Sequence, residues 1–414
     1  MMPIAVGVAK RLVVKKQTGL GTSVSDGTTG GQILRRVKST LDLQKANYKS
    51  AEILSSMQRR DFRHGVRSVG GSISGELSVG GYQAFMESIL RAASVAGSTT
   101  TTTAIITVGA VASGTNVVTF TRSALSYFTN GFRVGDVVLW TGFATTGTAN
   151  NTKHMMITAL TATVMTCVTL DGTAGGTKVA GDSVTCVQVG RKIAIPSSSQ
   201  TKDYFSIEHN FSDLDISELF TDCVIGSMKI GLPATGMATV DFDVMGLNMT
   251  SYSAASAPYY TAPAAAATGG ILAAVNGLLM VGGIVVGIVT GLSIDVTGNY
   301  SSPGGVVGAN VDPDIFQGSI DVTGQASVYF QDTVMRDYFL NESEVSMAVV
   351  MTANTTATSP FTAFTMPRVK FGGATKDDGE KGLMLTMPFT ALENLSSAGD
   401  SLATTISIQD SAFV

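Results

Sequence analysis

The stretch VKSTLDLQKANYKS (37–50) returns, in changed letters, as TGLSIDVTGNYSS (290–302). A self-similarity at this distance marks a chain written twice. Apolar and polar residues alternate along both stretches, as in strands with one buried face. Each closes on the same pair, Asn47-Tyr48 and Asn299-Tyr300. Outward from there, an irregular stretch follows each and ends in DFRHG (61–65) or DIFQG (314–318). Strand material comes next in both, VRSVGGSISGELSV (66–79) and SIDVTGQASVYF (319–330). A short helix follows, YQAFMESILRAA (82–93) in one copy and TVMRDYFL (333–340) in the other. Phe85, Met86, Ile89 and Leu90 form an apolar stripe on the first, and Val334, Met335, Tyr338 and Phe339 on the second, so both read as covers laid on a sheet. Further on, CVIGSMKIGLPATGMATVDFDVMGLN (223–248) parallels MPRVKFGGATKDDGEKGLMLTMPFTALEN (366–394), each a strand, a Gly-containing turn and a second strand. What repeats is the order of elements, not the letters.

The first copy is interrupted. Between its helix and FSIEHNF (205–211) lies a Thr-rich tract, read as a linker, and then the short apolar runs NVVTF, DVVLWTGF, MMITAL, VMTCVTL and SVTCVQV. Asn-Asn, Asp-Gly and Gly-Gly pairs between them are turn signals. The expected fold is therefore mainly β. It has two duplicated β-sandwich domains, each with a flanking α-helix, at 1–98 with 191–250 and at 271–414. An inserted small β-domain occupies 99–190, and an Ala/Pro/Ser-rich linker 251–270 joins the copies.

Composition agrees with a β-rich assembly subunit. Charged residues make up 14% of the 414-residue chain, and 46 glycines supply turns. A surface this poor in charge is accounted for if much of it becomes interface. The net charge of −4 offers no basic field for nucleic acid or acidic lipid. Cys167, Cys186 and Cys223 make no CxxC and no framework, which fits a reducing compartment. MMPIAVGVAKRL at the start lacks the charged and apolar regions of a secretory signal. Residues 271–292 are almost wholly apolar, with Gly283, Gly287 and Gly291 four apart as in membrane helix pairs. Asn276-Gly277 and Gly282-Gly283 punctuate the run, however, so LLMV and IVVGIVT read as strands of a hairpin.

No catalytic or cofactor pattern emerges. GTAGGTK (172–178) and GGATKDDGEKG (372–382) lack the Gly-Lys-Ser/Thr ending of a phosphate loop and read as hairpin turns. GGSISG (70–75) puts Ile73 where a nucleophile elbow needs serine. His64, His154 and His209 show no ligand spacing and read as surface or interface residues, and the cysteines as buried thiols. Asp213, Asp215, Glu218 and Asp222 surround Ile216, Leu219 and Phe220 at helical spacing, as on the solvated face of a helix. No cofactor or metal is expected, and no enzymatic activity.

In this order of elements the chain resembles the tail tube (major tail) proteins of long-tailed bacteriophages. The resemblance is carried by RLVVKKQTGLGT (11–22), by SAEILSSMQRRDFRHGVRSVGGSISGELSVGGYQAFMESILRA (50–92), by FSIEHNFSDLDISELFTDCVIGSMKIGLPATGMATVDFDVMG (205–246) and by the MPRVKFGG and LMLTMPFTAL segments. It covers most of the chain outside the insert. It implies two roughly orthogonal sheets with a flanking helix, copies joined edge to edge into rings, and stacked rings enclosing a β-lined channel for the genome. Two copies per chain imply homotrimeric rings with the insert pointing outward. An extended loop reaching the neighbouring ring is implied at 46–64 and 299–316, with Arg59, Arg60, Asp61, Arg63, Asp312 and Asp314 as stacking residues. Asp42, Glu76, Asp241, Asp243, Asp295 and Asp321 are candidate lumen acids that keep passing DNA from sticking. The implied partners are further copies of the chain, tail terminator, tape measure and baseplate proteins, and DNA in transit without specific binding; no membrane is among them. The implied location is the virion tail, assembled in the host bacterial cytoplasm. The alternatives are another self-assembling subunit (baseplate, pilus or adhesin), a membrane protein anchored at 271–292, and an enzyme of unknown type.

Overall fold

A computed structural model describes residues 4–109, 116–287, 289–377, 382–395 and 399–414. The turn expected within GGATKDDGEKG, at 378–381, lies outside them, as do Ile288 and the first three residues.

The first half opens with β1 (Lys10–Lys16), β2 (Asp42–Lys49), β3 (Phe62–Glu76) and α1 (Gln83–Leu90). The inserted segment follows as β4 (Thr99–Thr103), β5 (Ile106–Val108), β6 (Val117–Arg122), β7 (Val137–Thr141), β8 (His154–Leu160), β9 (Val164–Thr169) and β10 (Ser183–Gln188). The first half resumes with β11 (Arg191–Ala194), β12 (Phe205–Phe211), β13 (Ile216–Pro233), β14 (Thr239–Gly246) and β15 (Asn248–Ser253). The second half holds β16 (Gly277–Val281), β17 (Val289–Thr297), β18 (Asp321–Tyr329), α2 (Val334–Leu340), β19 (Val345–Thr352), β20 (Phe361–Phe371), β21 (Met384–Ala391) and β22 (Ser407–Asp410).

One antiparallel ladder crosses both halves in the order β2–β3–β14–β13–β17–β18–β21–β20. The pairing order of the first four strands is that of the last four. The seam between them is β13–β17, with Lys229 opposite Asp295 and Ile230 opposite Ile294. Strand β13 is long enough to serve two layers. Its second half lies in the ladder, while its first half pairs with β12 and β15 in an outer sheet that also takes in β1. Strand β20 does the same with β19 and β22, and β16 flanks β19. Between the layers runs a single apolar core from Leu12 to Phe413.

The helices cover this core unequally. On α1, Phe85, Met86, Ile89 and Leu90 are all buried, and Phe85 meets Phe205 and Phe242 edge to face at 5.4 and 5.1 Å. On α2 only Met335 is buried; Val334 is exposed, and Tyr338 stacks at 6.5 Å on Phe371.

The inserted strands form a separate sheet, β4–β10–β7–β8–β9–β6–β5. Its core centres on Trp140, stacked on Phe120 at 4.5 Å. The Thr-rich tract is therefore not a linker but the edge strand β4. Threonine is β-branched and fits a pleat, and Thr101 bonds the hydroxyl of Thr185 across the pair at 2.9 Å. The insert is docked: Val137 and Met156 pack with Met280, Ala348, Val350, Phe361 and Ala363 on the outer face of the second half.

Three other expectations change. The 213–222 region is not helix: Asp213 and Asp215 lie in a turn, and from Ile216 the chain is strand, flanked on both sides by β12 and β15. In the apolar run, Gly277–Val281 and Ile284–Val286 do form a hairpin, and Gly282 and Gly283 turn at φ 59° and 81°, where glycine is favoured. Residues from Val289 onward instead begin β17. Among the described residues no helix is long and apolar enough to cross a membrane. Finally, His154 and His209 are buried rather than superficial. The connecting stretch after β15 is packed too: Tyr259 and Tyr260 are buried, and their backbone N–H groups donate to Glu208 at 2.6 and 3.2 Å.

Candidate assembly surfaces

The ladder buries one face and presents the other. Along β14, Val240, Phe242 and Val244 are buried while Thr239, Asp241 and Asp243 point away. Register carries that parity from strand to strand. Asp241 faces Ser74 and Asp243 faces Ser72, which puts Glu76 on the same side, and Asp42 lies opposite Gly70 two residues further along β3. Across the seam, Lys229 lies between Asp241 and Asp295, and Thr297 stands opposite Asp321. All six acids picked from the sequence thus share one face.

Most of their neighbours there are Ser, Thr and Gln: Ser293, Thr323, Gln325, Ser327, Thr386 and Thr390. Ser227 Oγ donates to Asp243 at 2.7 Å and Asn299 Nδ2 to Asp321 at 2.7 Å. Lys38, opposite Ser74, and Lys229 lie among the acids; sequence periodicity alone had not placed either cation. From this face inward the layers run ladder, core, outer sheet of the second half, insert. The insert therefore sits on the far side from the acids.

The loops at the ladder's end behave differently in the two halves. Strand pairing extends to Lys49 and from Phe62, so the first loop is 50–61, shorter than the sequence implied. Arg59, Arg60, Asp61 and Arg63 are all exposed, and so are Ile53 and Met57. Its base is closed by the Ser50 N–H on the Asp61 carbonyl at 3.0 Å. Hydrogen bonds from the Phe62 N–H and Arg63 hold the Asp61 carboxyl below its usual range.

The second loop, 298–320, folds back on the first half. The Arg67 N–H donates to the Asn310 carbonyl at 2.8 Å. Ile315 is buried with Tyr204, Val224 and Leu247. Asp314 accepts from Lys202 Nζ and Tyr204 Oη, both at 2.7 Å. Burial disfavours its charge, but those bonds outweigh the penalty and keep its carboxyl below the usual range. Asp312 is buried and accepts from Ser302 Oγ. Both acids are thus engaged within the chain. Nothing in the sequence pairs Asp314 with a lysine more than a hundred residues away; only the fold does.

The three thiols, His154 and His209 are held in the interior, whereas His64 is exposed. Burial pushes the thiols of Cys167, Cys186 and Cys223 up, and His154 Nδ1 lies 2.9 Å from the Ser359 carbonyl. Among the described residues no three His, Cys, Asp or Glu side chains are grouped to hold a metal.

In a comparison with known families, a model described as phage tail tube protein aligns with residues 7–391. No curated protein matches the chain. With the match covering nearly its whole length, and a β-rich fold of antiparallel sheets beneath it, the chain belongs to the phage tail tube protein family.

Proposed function

We propose that this structural tail subunit is not a catalyst, and that it closes into three-chain rings whose stacking makes a channel conducting the genome from capsid to host. The observation that carries the reading is the β13–β17 seam. It joins two like-ordered halves edge to edge inside one chain and leaves the ladder open at both ends, at residues 38–44 and at 373–376. Open sheet edges are sticky, and a contact that repeats head to tail closes into a ring. Each chain then supplies two copies of one domain, and the edge at 373–376 of one chain pairs with residues 38–44 of the next, in the manner of the seam.

In this ring the shared face of Asp42, Glu76, Asp241, Asp243, Asp295 and Asp321 lines the channel. A duplex carries one phosphate charge per about 1.7 Å of axis. Carboxylates and hydroxyls repel or ignore it, whereas a basic lining would hold it. The insert, on the opposite side of the molecule, points outward. The loop bearing Arg59, Arg60, Asp61 and Arg63 contacts another copy of the chain. Terminator, tape measure and baseplate proteins meet the tube at its ends or inside it, in a virion tail assembled in the bacterial cytoplasm. Cryo-electron microscopy of the purified chain tests this. Tubes with three chains and six similar β-domains per ring are expected; six chains per ring would remove the duplicated-domain reading, and solid fibres without a channel would remove the conduit.

A further inference from the structure

The second-half loop docks on the first half, its lateral neighbour across the seam, through Asp314 on Lys202 and Tyr204 and through buried Ile315. Among the described residues the first-half loop has no such seat within the chain. Register relates the two loops: Tyr48 stands opposite Arg63 as Ser301 stands opposite Phe316. Asp61 and Phe62 therefore occupy the places of Asp314 and Ile315. Phe62 is 45% exposed.

The seat can be transferred in the same way. Strands β12 and β19 each carry a register shift near their start, between Phe205 and Ile207 and between Val345 and Met347. Counting back from these shifts, Glu342 and Glu344 take the places of Lys202 and Tyr204. A shallow cleft of about 400 Å³ opens there, lined by Glu344, Pro367, Arg368, Asn394 and Leu395. The charges have changed sides. The docked loop is acidic and its seat holds a lysine; the undocked loop ends in Arg59, Arg60 and Asp61, with Arg63 just beyond it on β3, and its corresponding seat holds two glutamates. Arg368 binds Glu344 at 2.7 Å and Lys370 approaches Glu342 at 3.4 Å. The Glu342 side chain is nevertheless 83% exposed and open to a further cation.

We propose that the Arg59–Arg63 loop docks on the Glu342 and Glu344 seat of a second copy of this chain, the lateral neighbour in the same ring. This rests on the ring reading above, and it assigns the loop sideways rather than to the ring stacked above. The exchange of charge gives the contact a polarity. An acidic loop is repelled by Glu342 and Glu344, and an arginine loop by Lys202, so first and second halves must alternate around the ring.

Assembled Arg60→Cys/Glu342→Cys chains test it by oxidation, since the three native thiols are buried. The expected product is a covalent set that stops at the chain number of one ring. Links running without limit along the tube, or no links in assembled tubes, would overturn the proposal. In parallel, Arg60→Gln/Arg63→Gln and Glu342→Gln/Glu344→Gln should each cut tube yield about tenfold, with little further loss when combined; fully additive losses would also overturn it. If the unaltered chain forms no rings at all, the ring reading itself fails.

Discussion

His209 lies in the first-half outer sheet with its ring edge-on to Phe220 at 4.8 Å and Nε2 2.9 Å from Ser39 Oγ. Burial, with Lys10 and Arg36 near by, pushes its pKa down to about 3. It is therefore neutral in the folded chain at neutral pH, and Glu218, 3.9 Å away, is no ion-pair partner to it. An unfolded chain takes up this proton near pH 6.5, a folded one only near 3. The stability it confers is complete above pH 6.5 and is lost as pH falls toward 3, by about 1.4 kcal/mol per pH unit in between. His209→Gln should flatten denaturant-unfolding stability between pH 7 and 5 by up to that slope; an unchanged slope would exclude His209 as its source. Glu208 makes a different kind of demand. Its carboxylate accepts from Ser217 Oγ at 2.6 Å and from the Tyr259 and Tyr260 N–H groups at 2.6 and 3.2 Å, all buried. Glu208→Ala leaves these donors without their acceptor, at about 2–5 kcal/mol, and frees the stretch after β15. The expected readout is faster proteolysis within 257–270, whereas Glu218→Ala, on a partly exposed side chain, should leave cleavage unchanged.

Strand β18 sets the spacing of the ladder through one glycine. A Cβ on Gly324 would lie 2.2 Å from the Ser293 carbonyl and 2.4 Å from the Phe389 ring, which covers the strand from β21. The carbonyl cannot retreat without parting β17 from β18, so Gly324→Ala should cost about 1–3 kcal/mol and lower the thermal midpoint, while Gly372→Ala, with its nearest atom at 3.8 Å, should not. Elements of this kind were legible where one face is buried. Strand β14 reads as alternation because only Val240, Phe242 and Val244 face the core, and α1 reads as a stripe for the same reason. Strand β13 does not, because it is buried on both sides: Leu219 packs with Val13 and Tyr260, and Phe220 with the main core. A strand without a polar face loses period 2, and its flanking acids then mimic a helical spacing. The tract at 99–103 was obscured otherwise, since its partner is β10, some eighty residues on. That the six acids share one face was legible from the alternation of polar and apolar residues around them. The engagement of Asp314 and the seat at Glu342 depend on tertiary placement alone.

At the scale of the whole molecule, the insert has a sheet and an apolar core of its own. It enters and leaves through one antiparallel stem, where Arg191 and Lys192 pair with Ala96 and Val95, and the Gly97 N–H reaches the Gly190 carbonyl at 3.2 Å. Adjacent ends and a core of its own are what a segment able to fold alone would show. Its attachment to the rest is specific: Lys192 pairs with Asp136, and Gln409 Nε2 donates to the Val137 and Val189 carbonyls at 2.8 and 2.7 Å. Excision at the stem should preserve the ladder but uncover Met280, Ala348, Val350, Phe361 and Ala363, so the shortened chain should aggregate unless Val350 and Phe361 are made polar. The chain's single tryptophan offers a direct test, because Trp140 is fully buried in the insert and its fluorescence reports that sheet alone. Residues 98–190 made separately should show the same blue-shifted emission and one cooperative unfolding transition. In the full chain, circular dichroism is weighted to the two halves. If the insert is a domain in its own right, the two signals should part under denaturant, with Gln409→Ala moving only the fluorescence midpoint; coincident curves in both proteins would mean that insert and body fold as one cooperative unit.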